Sequence, residues 1–516
     1  MEDAMRKMRA RWLSVWLVYF GVGTFAIGQD SDSYLKISGK EILNHAKYLS
    51  SDKFKGRETF SDEQLEAGRY IAGKFKDYGL RPADPKAKYY QAIEMEYGIV
   101  GRSNSLSIDE KSFREGTDFR VAAVGRKTIA SQIVFVGYGV TTKDYNSYAS
   151  LDVRDKIVMV FEGKLKKSGK EYGIAPLHEV LVINAINHGA AGMIFAEGTS
   201  SKNRKMPIPA KFAADSMRSY LEMAQKMGLI RLGPEARSAW RNFPLVYITA
   251  EVADILLKKS NRTIIDLKNT IDKTGQPLSF LLDQQVKIQT NVSHGLKKTA
   301  NIVGLIEGRD PTLKKEAVVI GAHYDHLGLI RAPDAPDKEL IAYGADDNAS
   351  GTAALMEIAR VFAGSRVAPR RSILLIAFTG EETGALGSQF YSEHPLIPLS
   401  QTMAMLNLDM IGRNDPKTIK IFCSRPDLFD LSLELSGKAK IQPEHLGEGY
   451  AESSDQANFL AKKIPVIFYY DGGGNFAHSP ADTWDQLSPE KMEAVARLCF
   501  LTAWQIANQD ESRRDK

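Results

Sequence analysis

The chain has 516 residues, 43% hydrophobic and 25% charged, the composition of a globular protein long enough for two or three domains with real cores. Its formal charge of +5 is spread along the chain, which excludes a nucleic-acid-binding tail. Two cysteines, Cys423 and Cys499, exclude a thiolate metal site or a disulfide scaffold, while leaving open whether the two pair.

In chain order, the basic MEDAMRKMRAR is followed by an apolar run, Trp12 to Ile27, and by small residues at Ala26 and Gly28. This reads as a secretory signal over residues 1–28, cleaved after Gly28, with an uncleaved anchor as the alternative. The expected location is secreted or periplasmic. No later stretch is long and apolar enough to span a bilayer. Residues 38–50 and 62–78 have helical spacing of apolar positions, and Gly79 is placed to end the second helix.

From 101 to 284 the texture is short β-rich runs, such as SQIVFVGYGV, DKIVMVFEG and AAGMIFAEG. From 285 to 508 strands and helices alternate, before a polar tail at 509–516. EAVVIGAHYD, SILLIAFTG, MAMLNLDMIG, KTIKIFCS and IPVIFYY read as strands, with helices between them and a last helix over 489–508. Such alternation predicts an α/β fold: a mostly parallel mixed sheet covered by helices on both faces.

In such sheets, ligands bind beyond the carboxyl ends of the strands. At those ends stand His323 and Asp325 in GAHYDHLG, Asp346 and Asp347 in GADDNASG, and Glu381 and Glu382 in TGEETG. Asp409 in NLDMIG and His478 in FAHSPADTW complete the set. Each alone has a plain explanation, as a core histidine, a helix N-cap or a turn acid. Gathered in one volume, carboxylates lose hydration and repel one another, and divalent cations relieve both costs. Histidine with carboxylate and no cysteine suits catalytic zinc.

In this order the five motifs resemble the co-catalytic di-zinc aminopeptidases, relatives of secreted bacterial leucyl aminopeptidases, glutamate carboxypeptidases and glutaminyl cyclases. The resemblance covers roughly 30–100 and 285–508. It implies two Zn2+ per chain, one on His323 and the other on His478, bridged by Asp346 and completed by Glu382 and Asp409. It implies Asp325 as the partner that orients the His323 imidazole, and a cis peptide between Asp346 and Asp347. Glu381 would be the general base, taking a proton from the metal-activated water and returning it to the leaving amine.

GYGV, DYNSYASLDVRDKIVMVFEGK and INHGAAGMIFAEG resemble an inserted protease-associated domain, which implies a role in access to the cleft or in docking longer substrates. The chain departs from the family at Ala477, where relatives often carry Tyr, and at Gln456 in Ser454-Asp455-Gln456, where many carry His; Tyr450 is the substitute donor considered. His326 is read as structural or cleft-lining. The implied function is a peptide-hydrolysing metallopeptidase, most directly an aminopeptidase. A carboxypeptidase would need a cation such as Arg331 or Arg413 to hold the substrate carboxylate. Cyclase-like acyl transfer and a non-catalytic receptor-like protein are the other readings.

Overall fold

The computed structural model describes residues 32–101, 103–121, 126–142, 145–161, 166–167, 170–171, 178–196, 243–331, 338–472 and 476–510. The signal segment predicted over 1–28 lies outside them. The chain forms two compact units. The first comprises the N-terminal part to Ile93, Lys298–Ile330, and the chain from Glu339 onward; the second comprises Glu94–Lys297 and Arg331–Lys338.

The first unit begins with helices α1 (Gly39–Leu49) and α2 (Asp62–Asp77). Each starts at a serine N-cap: Ser38 accepts from the Glu41 N–H and Ser61 from the Gln64 N–H, satisfying donors that the helix itself cannot. The strands that follow are β1 (Val292–Ile306), β2 (Ala317–His323), β3 (Ser372–Phe378), β4 (Thr402–Asp409), β5 (Thr418–Cys423), β6 (Gln442–His445) and β7 (Val466–Tyr470). The helices between and after them are α3 (Gly351–Ala363), α4 (Leu386–Glu393), α5 (Pro426–Ala439), α6 (Gln456–Ala461) and α7 (Pro489–Asn508).

These strands and two N-terminal partners, the short Arg81–Pro82 and the longer Tyr90–Val100, form a nine-stranded sheet. Its central order is β1-β3-β2-β4-β7-β5-β6. The block β3-β2-β4-β7 is parallel, whereas β1 and β5 run antiparallel to their neighbours β3 and β7.

Every residue of β2, β3 and β4 is buried, as their mostly apolar make-up requires of strands covered on both faces. Alternate side chains serve opposite faces. Val318, Ile320 and Ala322 join the core beneath α1, α2, α3 and α7, while Ala317 and Val319 join Phe459 and Tyr391 on the other side. At about 1.5–3 kcal/mol for each fully buried Leu, Ile or Val, this double burial is the main force fixing the strands. Register then brings the carboxyl ends level, with His323 opposite Phe378 and Asp409 opposite Tyr470.

The second unit contains an eight-stranded mixed sheet in which Lys127–Phe135, Ile157–Phe161, Gly192–Ala196 and Leu245–Ile248 run parallel. Helices His178–Asn187, Ala250–Leu257 and Ile264–Thr274 accompany it. Its own core includes Phe119, Phe135, Phe161 and Tyr247. Cys423 and Cys499 are both free thiols.

Candidate metal centre

All the site residues belong to the first unit. β2 delivers His323 at its last position, β4 delivers Asp409 at its last position, and the turn after β3 carries Glu381 and Glu382. That turn is set by Gly380 at φ +69°, where an added Cβ would crowd the Leu386 side chain, and is closed by the Ala385 N–H donating to Glu381 O.

The loop Gly344–Ser350 leads into α3 and is held from several sides. Gly344 lies at φ +58°, and a Cβ there would sit 2.3 Å from Asp347 O and 2.5 Å from the His326 ring, so only glycine fits. Arg57, fully buried, donates to the carbonyls of Leu49, Tyr324, Tyr343 and Gly344. Asn348 accepts from the Gly351 N–H and donates to Leu408 O, tying the start of α3 to β4.

This loop corrects the sequence reading. Asp346, expected to bridge the metals, turns its Oδ1 to the Gly412 N–H at 2.7 Å. Burial, then repulsion from Asp482, push its pKa up to about 7. The carboxylate that reaches the other ligand residues is Asp347. The cis peptide falls between Asp347 and Asn348, one residue later than expected. Two adjacent aspartates give no sign in sequence of which one faces the strand ends; the packing of Asp346 against Gly412 decides it.

Asp347 stands between two groups of donors. Its Oδ1 lies 3.4 Å from His323 Nε2, which is itself 3.3 Å from Asp409 Oδ1. Its Oδ2 lies 3.2 Å from His478 Nε2, which is 3.3 Å from Glu382 Oε2. Two ligands on one tetrahedral zinc ion, with bonds of about 2.0–2.1 Å, are separated by about 3.3–3.4 Å. The donor set therefore fits a metal in each group. Buried His323 Nε2 and Asp409 Oδ1 have no hydrogen-bond partner among the described residues, consistent with lone pairs reserved for coordination.

His326 also approaches this cluster, and His326, Asp347 and Glu382 place donor atoms within 4.8 Å of one another. Its Nδ1, however, is 2.6 Å from Glu382 Oε1 and 3.9 Å from Asp347 Oδ2. The shorter separation is that of a hydrogen bond, too close for two ligands of one ion. His326 thus holds the second oxygen of Glu382 while His478 faces the first. The sequence suggests a structural or cleft-lining residue here; its place directly after Asp325 does not reveal the contact with Glu382.

The electrostatics follow from crowding. Burial works against a charged His323, but Asp409, Glu381 and Asp347 outweigh it and raise its pKa well above the ordinary value. Hydrogen bonds to Asp347 and Glu382 push His478 up to about 11. Burial alone would raise Asp347, yet His326, His323 and His478 hold it well below the usual carboxylate range. Glu381 goes the other way: burial, with added repulsion from Glu382 and Asp409, lifts it well above the ordinary glutamate. Its Oε2 lies 3.9 Å from His323 Nε2, and its side chain is 17% exposed against 7% for Glu382.

Asp325 lies behind His323, but His323 Nδ1 meets the main-chain carbonyl of Asp325 at 3.2 Å, while the carboxylate is 3.8 Å away. That carboxylate accepts from Thr59 Oγ1 and from the Glu381 N–H instead, linking the two strand ends. Ala477 contributes no polar group. Tyr450 is exposed, with its ring 5.6 Å from that of Tyr470 at the end of β7. Arg413 is buried and bound to Asp482, and the side chain of Arg331 lies outside the described ones.

Comparison with known proteins agrees with this architecture. Residues 301–503 match the family model described as Peptidase family M28. A probable leucine aminopeptidase of Arthroderma otae is 31% identical over 223 residues, 41% of this chain and 58% of that protein. A probable zinc metalloprotease of Pyricularia oryzae is 30% identical over 189 residues, 34% of this chain and 36% of that protein. The chain spans between a third and three fifths of the length of these curated relatives. The solved structure of an aminopeptidase from Aneurinibacillus sp. strain AM-1 shares the fold, with a TM-score of 0.65 at 20% identity over 93% of this chain and 97% of that one. With its sheet order and its converging acids and histidines, the segment 301–503 is similar to peptidase family M28.

Proposed function

We propose that this protein is a secreted zinc-dependent exopeptidase, an aminopeptidase that removes N-terminal residues from peptides. The observation that carries the reading is the Asp347 carboxylate, which directs one oxygen to His323 and the other to His478, each at ligand spacing. His323, Asp347 and Asp409 would hold one zinc ion, and His478, Asp347 and Glu382 the other. Bound there, zinc supplies a Lewis acid that polarises the peptide carbonyl and lowers the pKa of the attacking water.

The residues around the centre divide the remaining work. Glu381 is the general base, because its carboxylate stands beside the ligand cluster without being drawn into either group. It takes the proton of the attacking water and passes it to the leaving amine, and its raised affinity for protons suits it to carry one between the two. Glu382 differs because His326 and His478 engage both of its oxygens.

The printed names of the Arthroderma and Pyricularia relatives favour an aminopeptidase or metalloprotease. The carboxypeptidase alternative is weakened because Arg413, one of its two candidate carboxylate anchors, is buried on Asp482. We read the second unit as the protease-associated insertion, on its position in the chain and its β-rich make-up. Secretion rests on the signal-like segment 1–28; among the described residues, no helix is long and apolar enough to cross a membrane.

The test is metal analysis of the purified protein joined to cleavage of paired peptides, one blocked at each terminus. Two zinc ions per chain, with cleavage lost only on N-terminal acetylation, support the proposal. Cleavage lost only on C-terminal amidation, or no zinc uptake, overturns it.

A further inference from the structure

We propose that Asp482, paired with Arg413, is a positioning residue that locks the three ligand-bearing loops of the centre into one unit. The inference rests on the zinc reading above and extends it to residues that touch no ligand atom.

Asp482 is buried, 1% exposed, four residues beyond His478. Its carboxylate accepts from the Asp346 N–H at 3.0 and 3.1 Å and from the Asp347 N–H at 3.0 Å. Its main-chain carbonyl accepts from the Ala345 N–H at 3.1 Å. Three consecutive donors of the loop that carries Asp347 therefore end on one residue of the loop that carries His478.

The third segment enters through Arg413, four residues after Asp409. The guanidinium donates to Asp482 Oδ1 at 2.9 Å and to Ala481 O at 3.2 Å, and it lies 5.2 Å from the Phe476 ring, two residues before His478. Between Asp409 and Arg413, the Gly412 N–H donates to Asp346 Oδ1 and the Ile411 N–H to Ser350 Oγ. The exit of β4, the Asp347 loop and the His478 loop thus share a single buried ion pair.

This arrangement needs a carboxylate and a cation together. Two main-chain N–H groups and a guanidinium fill the acceptor sites of Asp482, so its role is to hold backbone rather than to bind metal. A buried carboxylate with only neutral donors would carry an uncompensated charge, and Arg413 compensates it. Asparagine at 482 offers one acceptor oxygen and turns an NH2 group toward a donor, which releases either the loop or the arginine. Because His478 and Asp347 are ligands of the same group, a shift of either loop spoils the spacing between them, as loss of outer-shell partners does in metal sites generally.

The test uses the full chain and zinc alone as the probe, read by competition with a chromophoric chelator. The visible spectrum of the cobalt(II)-substituted protein gives a second readout. Asp482→Asn is expected to lower zinc affinity by about 10–100-fold and to alter the cobalt spectrum, while the metal-free variant keeps the wild-type circular dichroism. Arg413→Gln should reproduce the loss, and Arg413→Lys, which retains a cation, should restore most of the affinity. If Asp482→Asn does not fold, the Arg413 pair decides alone. Equal zinc affinity in wild type, Asp482→Asn and Arg413→Gln overturns the positioning role and leaves the zinc reading standing. Failure of the wild type itself to bind zinc sinks the zinc reading instead.

Discussion

His326 Nδ1 lies 2.6 Å from Glu382 Oε1, while His478 Nε2 lies 3.3 Å from Glu382 Oε2, so one carboxylate is gripped by two histidines at two different kinds of distance. The first is a hydrogen bond that fixes the rotation of the carboxylate; the second is the spacing of co-ligands. His326→Ala should therefore weaken zinc binding in the His478 group by about 10–100-fold, the usual cost of losing such a partner. The His323 group, whose donors do not include Glu382, should keep its affinity. Stepwise zinc titration measures both, and an unchanged second affinity would refute the assigned role.

The neighbouring aspartates give a direct contrast. Asp347→Ala removes the carboxylate shared by both donor groups and should reduce bound zinc to less than one ion per chain. Asp346→Asn keeps an oxygen to accept the Gly412 N–H and should leave the stoichiometry intact. It should also relieve the cost of ionising a buried acid whose pKa stands at about 7. Zinc content by elemental analysis distinguishes them, and the opposite ranking would return the bridging role to Asp346.

That contrast marks where sequence reading stops. The sheet, its parallel centre and the helices between strands were legible because β2, β3 and β4 are short, mostly apolar runs bounded by polar turns. That His323, Asp409 and Glu382 would lie at the carboxyl edge of the sheet was legible because the first two end strands and Glu382 stands in the turn just after one. The choice between Asp346 and Asp347 was not, since it depends on a hydrogen bond to Gly412, 66 residues away. His326 and Asp482 escaped for the same reason. Their partners, Glu382 and the main chain of Asp346 and Asp347, are distant in sequence, and no local pattern records which of several nearby polar residues faces which.

Glu381→Gln tests the division of labour in the turn after β3. The side chain keeps its size and its main-chain N–H bond to Asp325, so zinc content should be unchanged. Turnover should fall by about 10²–10⁴-fold, the range a positioned acid–base group contributes, with little change in KM. Full metal content together with wild-type kcat would exclude Glu381 as the base.

A last prediction concerns acid stability away from the metal centre. His45, on α1, is buried, and its ring nitrogens meet the hydroxyls of Tyr70 at 2.6 Å and Tyr78 at 3.0 Å. Burial, reinforced by Lys74, depresses its pKa from 6.5 to about 4. The folded state therefore binds a proton on this ring less readily than the unfolded chain does. The stabilisation is complete above the unfolded value of 6.5 and is lost as pH falls toward 4, reaching about 3 kcal/mol in total. Between pH 7.5 and 5 the metal-free wild type should lose about 2 kcal/mol more of unfolding free energy than His45→Gln, which has no ring to protonate. Urea unfolding of both proteins at the two pH values measures the difference. Because α1 packs against the Asp347 loop, the same acid titration should loosen that loop in the wild type and not in the variant, as read by amide hydrogen exchange. Parallel pH dependence in the two proteins would show that His45 is protonated as easily in the folded chain as in the unfolded one.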